Sequence, residues 1–162
     1  MARWRRTQVL GDQETVTTIH DAVLAHLEAQ HLPTRSDADG AITFAVDTPY
    51  GSFDVRSVTD EAAGLLVTHA IYPHFINEVD VEPLADYLRQ ANLRLRVGNF
   101  ELETEPVVVR CKTSIDFAGT EPSAVMIGRS VGAAIGEMVR HMPGIASVVN
   151  GLSVELAISS LD

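Results

Sequence analysis

At 162 residues, with 46% hydrophobic side chains, the chain is sized for one domain with a sizeable core. Twelve basic and 22 acidic side chains give a net charge of −10. Setting aside the three arginines among the first six residues leaves nine basic against 22 acidic. A body this acidic repels phosphate backbones, which argues against direct nucleic-acid binding.

The N-terminus, residues 1–12, reads as a flexible tail carrying Arg3, Arg5 and Arg6. No apolar stretch follows Arg5-Arg6, so the pair does not read as an export signal. No 18-residue apolar run offers a membrane span. The first helix is predicted over 13–31, where Val16, Ile19, Val23 and Leu27 recur at helical spacing and Pro33 lies just beyond. Ser36-Asp37-Ala38-Asp39-Gly40 reads as a turn. Ile42, Phe44 and Val46 then alternate with polar or small residues as one strand, and Phe53 and Val55 continue the pattern in a second. Leu65 to Tyr72 form a third, more apolar strand. Short turns at Thr48-Pro49-Tyr50-Gly51 and Asp60-Glu61-Ala62-Ala63-Gly64 make the three an antiparallel meander.

Pro73 ends the meander, and Asp80 offers an N-cap for a second helix over 81–97, with Val81, Leu84, Leu88 and Leu95 on its buried face. Asn92 falls in the middle of that apolar stripe. A buried amide needs hydrogen-bond partners, so Asn92 is expected to hold something specific. Gly98 stops the helix and opens a fourth strand, 98–103. Val107 to Phe117 form the fifth, with Val109, Cys111, Thr113, Ile115 and Phe117 on one face and Val108, Arg110, Lys112, Ser114 and Asp116 on the other.

A third helix is predicted over 122–141, ended by Pro143-Gly144. Gly128, Gly132 and Gly136 recur along it every four residues. A mid-helix glycine costs about 1 kcal/mol against alanine, so a stripe of three suggests close backbone approach. The helix either lies flat on the sheet or crosses its twin in a homodimer. Residues 145–161 suit either a final helix or, in part, a strand. The predicted architecture is α+β, a five-stranded antiparallel sheet in the order α-β-β-β-α-β-β-α with an extra C-terminal segment. Residues 13–162 form a single domain in this reading.

The junction Leu88-x-x-x-Asn92-Leu-x-Leu-x-Val-Gly98-x-Phe100-Glu-Leu, in that element order, resembles the YbjN-like domain family, which is similar in fold to the chaperones of type III secretion. The resemblance covers residues 13–140. Asn92, Gly98 and Phe100 match best, and the acidic turn Asp37-Ala38-Asp39-Gly40 and the acidic Glu101 and Glu103 also fit. It implies a small, acidic, homodimeric cytoplasmic protein that binds segments of other proteins and performs no catalysis. The segment 145–162 departs from the simplest secretion chaperone.

The chemistry-bearing residues do not assemble into a catalytic motif. His20, His26 and His31 are six and five residues apart and do not stack on one helix face. Neither His-Glu-x-x-His nor Cys-x-x-Cys occurs. Cys111, the single cysteine, excludes an internal disulfide, suits a reducing compartment and falls on the core-facing side of its strand. No phosphate loop, serine elbow or cofactor motif is present. Tyr72, Phe75 and Ile76 cluster where a strand gives way to a loop, with Tyr50 a weaker case. They act either as buried anchors or as part of a groove for a client segment. The expected function is a homodimeric protein-binding module, chaperone-like or regulatory, with an unidentified protein client. The alternative is a small-ligand binder or enzyme with an unrecognised pocket site, suggested by six histidines and many carboxylates, its histidine version to be tested at His69 and His74.

Overall fold

In a computed structural model the described residues are 17–161; the arginine tail, Val16 and the expected helical start at residue 13 lie outside them. The elements run α1 (Ile19–Ala29), β1 (Arg35–Ser36), β2 (Ile42–Thr48), β3 (Gly51–Asp60), β4 (Leu65–Ile71), a short 3-10 turn (Glu78–Asp80), α2 (Val81–Asn92), β5 (Asn99–Thr104), β6 (Val107–Asp116), α3 (Ala124–Val149) and α4 (Val154–Ser159). The six strands form one antiparallel sheet in the order β1-β2-β3-β4-β6-β5. The class is α+β, but with six strands where five were expected. The additional strand, β1, is two residues that pair with Ile42 and Thr43 across the Asp37–Gly40 turn. Two residues carry no alternation, so hydrophobic pattern could not reveal them.

Period-2 patterning turns Phe44, Phe53, Val55, Leu66, Ala70, Val109, Cys111 and Phe117 to one sheet face, where all are buried. The helices cover that face. α3 lies over β4 and β6 and touches α1, while α2 packs along β5 and against α3 and α4. Ile19, Val23 and Leu27 on α1 and Leu84, Tyr87, Leu88 and Ala91 on α2 complete the core. α1 starts under two caps. Thr18 Oγ1 accepts from the Asp21 N–H, and the Glu61 carboxylate, reaching over from the β3–β4 turn, accepts from the N–H groups of Ile19 (3.0 Å) and His20 (2.8 Å).

Two helix ends differ from expectation. α2 stops at Asn92 instead of running to residue 97, and Leu93 and Val97 are exposed beyond it. α3 does not stop at Pro143; it continues to Val149. An interior proline costs about 3 kcal/mol. Met138 and Met142 before it and Ile145 and Val148 after it are all buried, each contributing about 1.5–3 kcal/mol, so tertiary burial outweighs the local penalty. Pro143 itself is exposed, and its carbonyl accepts from Ser147 Oγ at 2.8 Å. The C-terminal segment left open by the sequence is helical: the end of α3, then α4, which packs on α2 and α3.

Candidate functional site

The junction between α2 and β5 is built around one amide. Asn92 Oδ1 accepts from the Phe100 N–H at 2.6 Å, and Asn92 Nδ2 donates to the Phe100 carbonyl at 3.0 Å. The side chain thus supplies Phe100 with the donor and acceptor a neighbouring strand would supply. Gly98 makes the turn between them. Its φ is +79°, and a Cβ there would lie 2.5 Å from the Lys112 carbonyl oxygen, so both backbone conformation and space demand glycine.

The four residues considered for client binding divide between two clefts. Phe75 and Ile76 border a groove of about 780 Å³, with Asn77, Glu78 and Val79 on the same wall and Thr104, Glu105, Pro106 and Val107 on the other. Phe75 is 85% exposed and Val79 82%, whereas Ile76 at 3% belongs to the core. Tyr50 and Tyr72 border a smaller cleft of about 160 Å³ with His74, Met142, Pro143 and Ala146. Tyr72 is 7% exposed and its ring meets His74 edge-on at 5.3 Å; Tyr50 is half-exposed at the β2–β3 turn. Burial raises the Tyr72 phenol above its ordinary range. Phe75 and Tyr50 therefore present surface, and Tyr72 and Ile76 are anchors beneath it.

The glycine stripe of α3 does not make the close backbone approach expected of it within the protomer. Nothing lies within 4 Å of a Cβ built at Gly132 or Gly136, and both are exposed; only Gly128 is crowded, by the His26 ring. Close packing occurs instead at Gly144, where a Cβ would collide with the Tyr87 ring and hydroxyl.

Tyr87 belongs to a buried cluster in which the sequence reading passed over His141. Tyr87 Oη and His141 Nδ1 are hydrogen-bonded at 2.9 Å, and the His141 ring meets Phe100 edge-on at 4.9 Å. Glu137 Oε2 lies 3.9 Å from Nε2. Burial, with the nearby charges of Arg140 and Arg94, pushes the imidazole down to about 4, and burial pushes the Tyr87 phenol up to about 12. The signal for His141 was available: it falls on the stripe of Met138, Met142 and Ile145. Cys111, opposite Phe100 in the register, is fully buried, and burial together with the Glu137 charge pushes its thiol up to about 12. Such a thiol is a poor nucleophile at neutral pH.

The sheet face away from the helices carries a charged network. Arg56, His69 and Lys112 are direct cross-strand neighbours. Glu101 is bonded to Lys112 at 3.0 Å and lies 3.8 Å from Arg110 and 3.9 Å from His69; Arg110 also pairs with Glu103. Burial works to raise the Glu101 carboxyl, but the Lys112 hydrogen bond and charge bring it below its ordinary value. Burial, then Arg110, lower His69. Glu101 and Glu103 are thus engaged in cross-strand pairs on a face that stays partly exposed. Among the described residues no group of three His, Cys, Asp or Glu side chains is placed to hold a metal ion, and no helix is long and apolar enough to cross a membrane.

No protein-family model matches the chain, and no curated protein matches it in sequence. Among solved structures it is similar to the crystal structure of YbjN from E. coli, described as a candidate transcription regulator. The TM-score is 0.58 at 11% sequence identity, over 77% of this chain and 91% of that one. The chain has a YbjN-like fold.

Proposed function

We propose that this chain is a non-enzymatic, homodimeric protein-binding module of the cytoplasm that holds a segment of another protein, in a chaperone-like or regulatory role. In this reading residues 13–162 act as one domain behind a 1–12 tail. The observation that carries it is the groove flanked by Phe75 and Val79. Two apolar side chains, each more than four-fifths exposed, stand at the rim of an open cleft on a strongly acidic protein. Covering such side chains contributes about 1.5–3 kcal/mol each, a gain that a docked partner segment would collect. The fold shared with YbjN, a candidate transcription regulator, supports a regulatory sphere. The acidity of this chain favours protein contacts over DNA for any such role. The exposed Gly132 and Gly136, with no described residue within 4 Å of a Cβ built there, support self-association through α3.

Affinity capture of the tagged chain from its native host, paired with mass measurement in solution, tests this. The expected result is one or two reproducible partners that weaken at high salt, and twice the chain mass of 17.5 kDa. A monomer that captures nothing reproducible refutes it.

A further inference from the structure

β5 is an edge of the sheet, and its main-chain groups can be assigned from the register. The Tyr72 N–H donates to the Val109 carbonyl at 2.9 Å, so Val109 turns its polar backbone toward β4. In an antiparallel ladder direction alternates residue by residue. Val108, Arg110 and Lys112 therefore turn toward β5, where they face Glu103, Glu101 and Asn99. Phe100, Leu102 and Thr104 then point their N–H and C=O groups away from the sheet. Asn92 occupies those of Phe100. Among the described residues Leu102 and Thr104 remain as the open edge, and Thr104 also lines the groove that Phe75 and Val79 flank.

We propose that this edge and groove dock an extended segment of another protein in which apolar and basic side chains alternate. The inference rests on the protein-binding reading and gives it a surface. The segment pairs with Leu102 and Thr104 as a short added strand. Its apolar side chains rest on Phe75 and Val79. The intervening basic ones meet Glu78 and Glu105, one on each wall and the two charged residues of a groove lining that carries no cation. Asn92 ends the docking site at one side and the Glu105-Pro106 turn ends it at the other. An edge this short does not invite sheet-to-sheet aggregation.

The test uses the full chain and a fluorescein-labelled hexapeptide, Val-Lys-Val-Arg-Val-Lys, followed by anisotropy at low salt. Saturable binding is expected, weakened about tenfold or more by N-methylation of alternate peptide bonds, by replacing the basic residues with glutamate, and by Phe75→Ser with Val79→Ser. Those two side chains are exposed, so the double variant keeps its fold. Backbone amide shifts should change at Leu102 and Thr104. Binding that ignores N-methylation, or shifts confined to the α3 face or the charged sheet face, overturns the proposal. If host proteins captured by the native chain are all retained by the double variant, the groove assignment falls and the protein-binding reading stands. If neither peptide nor host protein binds, both fall.

Discussion

Asn92→Leu isolates the joint between α2 and β5. Leucine is close in size and a better helix former, so local propensity alone predicts a neutral or slightly stabilising change. The structure predicts the opposite. The substitution removes both hydrogen bonds to Phe100, worth about 1 kcal/mol each. It also lays an apolar side chain over a donor and an acceptor of a residue only 4% exposed, and stranding such groups costs about 1–3 kcal/mol apiece. A net loss of about 2–4 kcal/mol is expected. Urea unfolding of the two proteins, followed by far-UV circular dichroism, should show a lower midpoint at unchanged slope. Asn92→Asp retains the acceptor for the Phe100 N–H and should lose roughly half as much at neutral pH. A leucine variant as stable as the parent would refute the reasoning, because it would mean that water replaces the amide without penalty.

Acid should destabilise the fold through His141. Its imidazole is held near 4 in the fold against an ordinary 6.5, so this contribution is complete above pH 6.5 and is lost as pH falls toward 4, by about 3 kcal/mol. Urea midpoints at pH 7, 5.5 and 4 should converge between the parent and His141→Asn as pH falls; parallel profiles would count against a buried neutral imidazole. Gly144→Ala should destabilise by about 1–3 kcal/mol through collision with Tyr87. At protein concentrations low enough to keep the chain monomeric, Gly132→Ala, in open space on the same helix, should raise the melting temperature, since removing a mid-helix glycine contributes up to about 1 kcal/mol. Equal effects at the two glycines would contradict the packing described. If α3 joins two copies, Gly132→Leu should halve the solution mass without lowering the stability of the fold.

The meander and the two faces of β6 were legible because one face of the sheet is buried, which imposes alternation on the apolar residues: Ile42 and Phe44, with a threonine buried between them, Phe53 and Val55, and Val109 through Phe117. Legibility failed where period gave no information or misled. β1 is too short to have a pattern. Leu93 and Val97 extend the apolar count of α2 yet stand in solvent, and the burial that carries α3 through Pro143 comes from residues distant in sequence. The segment 72–76 was singled out by composition, but it is irregular. Nothing in the letters distinguishes the exposed Phe75 from the buried Ile76 beside it. The glycines told a similar story, since repetition drew attention to Gly132 and Gly136 while the isolated Gly144 makes the tight contact. His141 matches no motif spacing, because its partners come from α2 and β5.

The Glu61 clamp on α1 bears on the order of events in folding. An 11-residue helix is marginal alone, because its first turn must be fixed before propagation repays the cost. Here two of the amides of that first turn are held by a carboxylate 41 and 42 residues downstream. That carboxylate is in place only once β3 and β4 have closed their hairpin. Although α1 leads the described chain, the capping of its first turn depends on a loop that follows it in sequence.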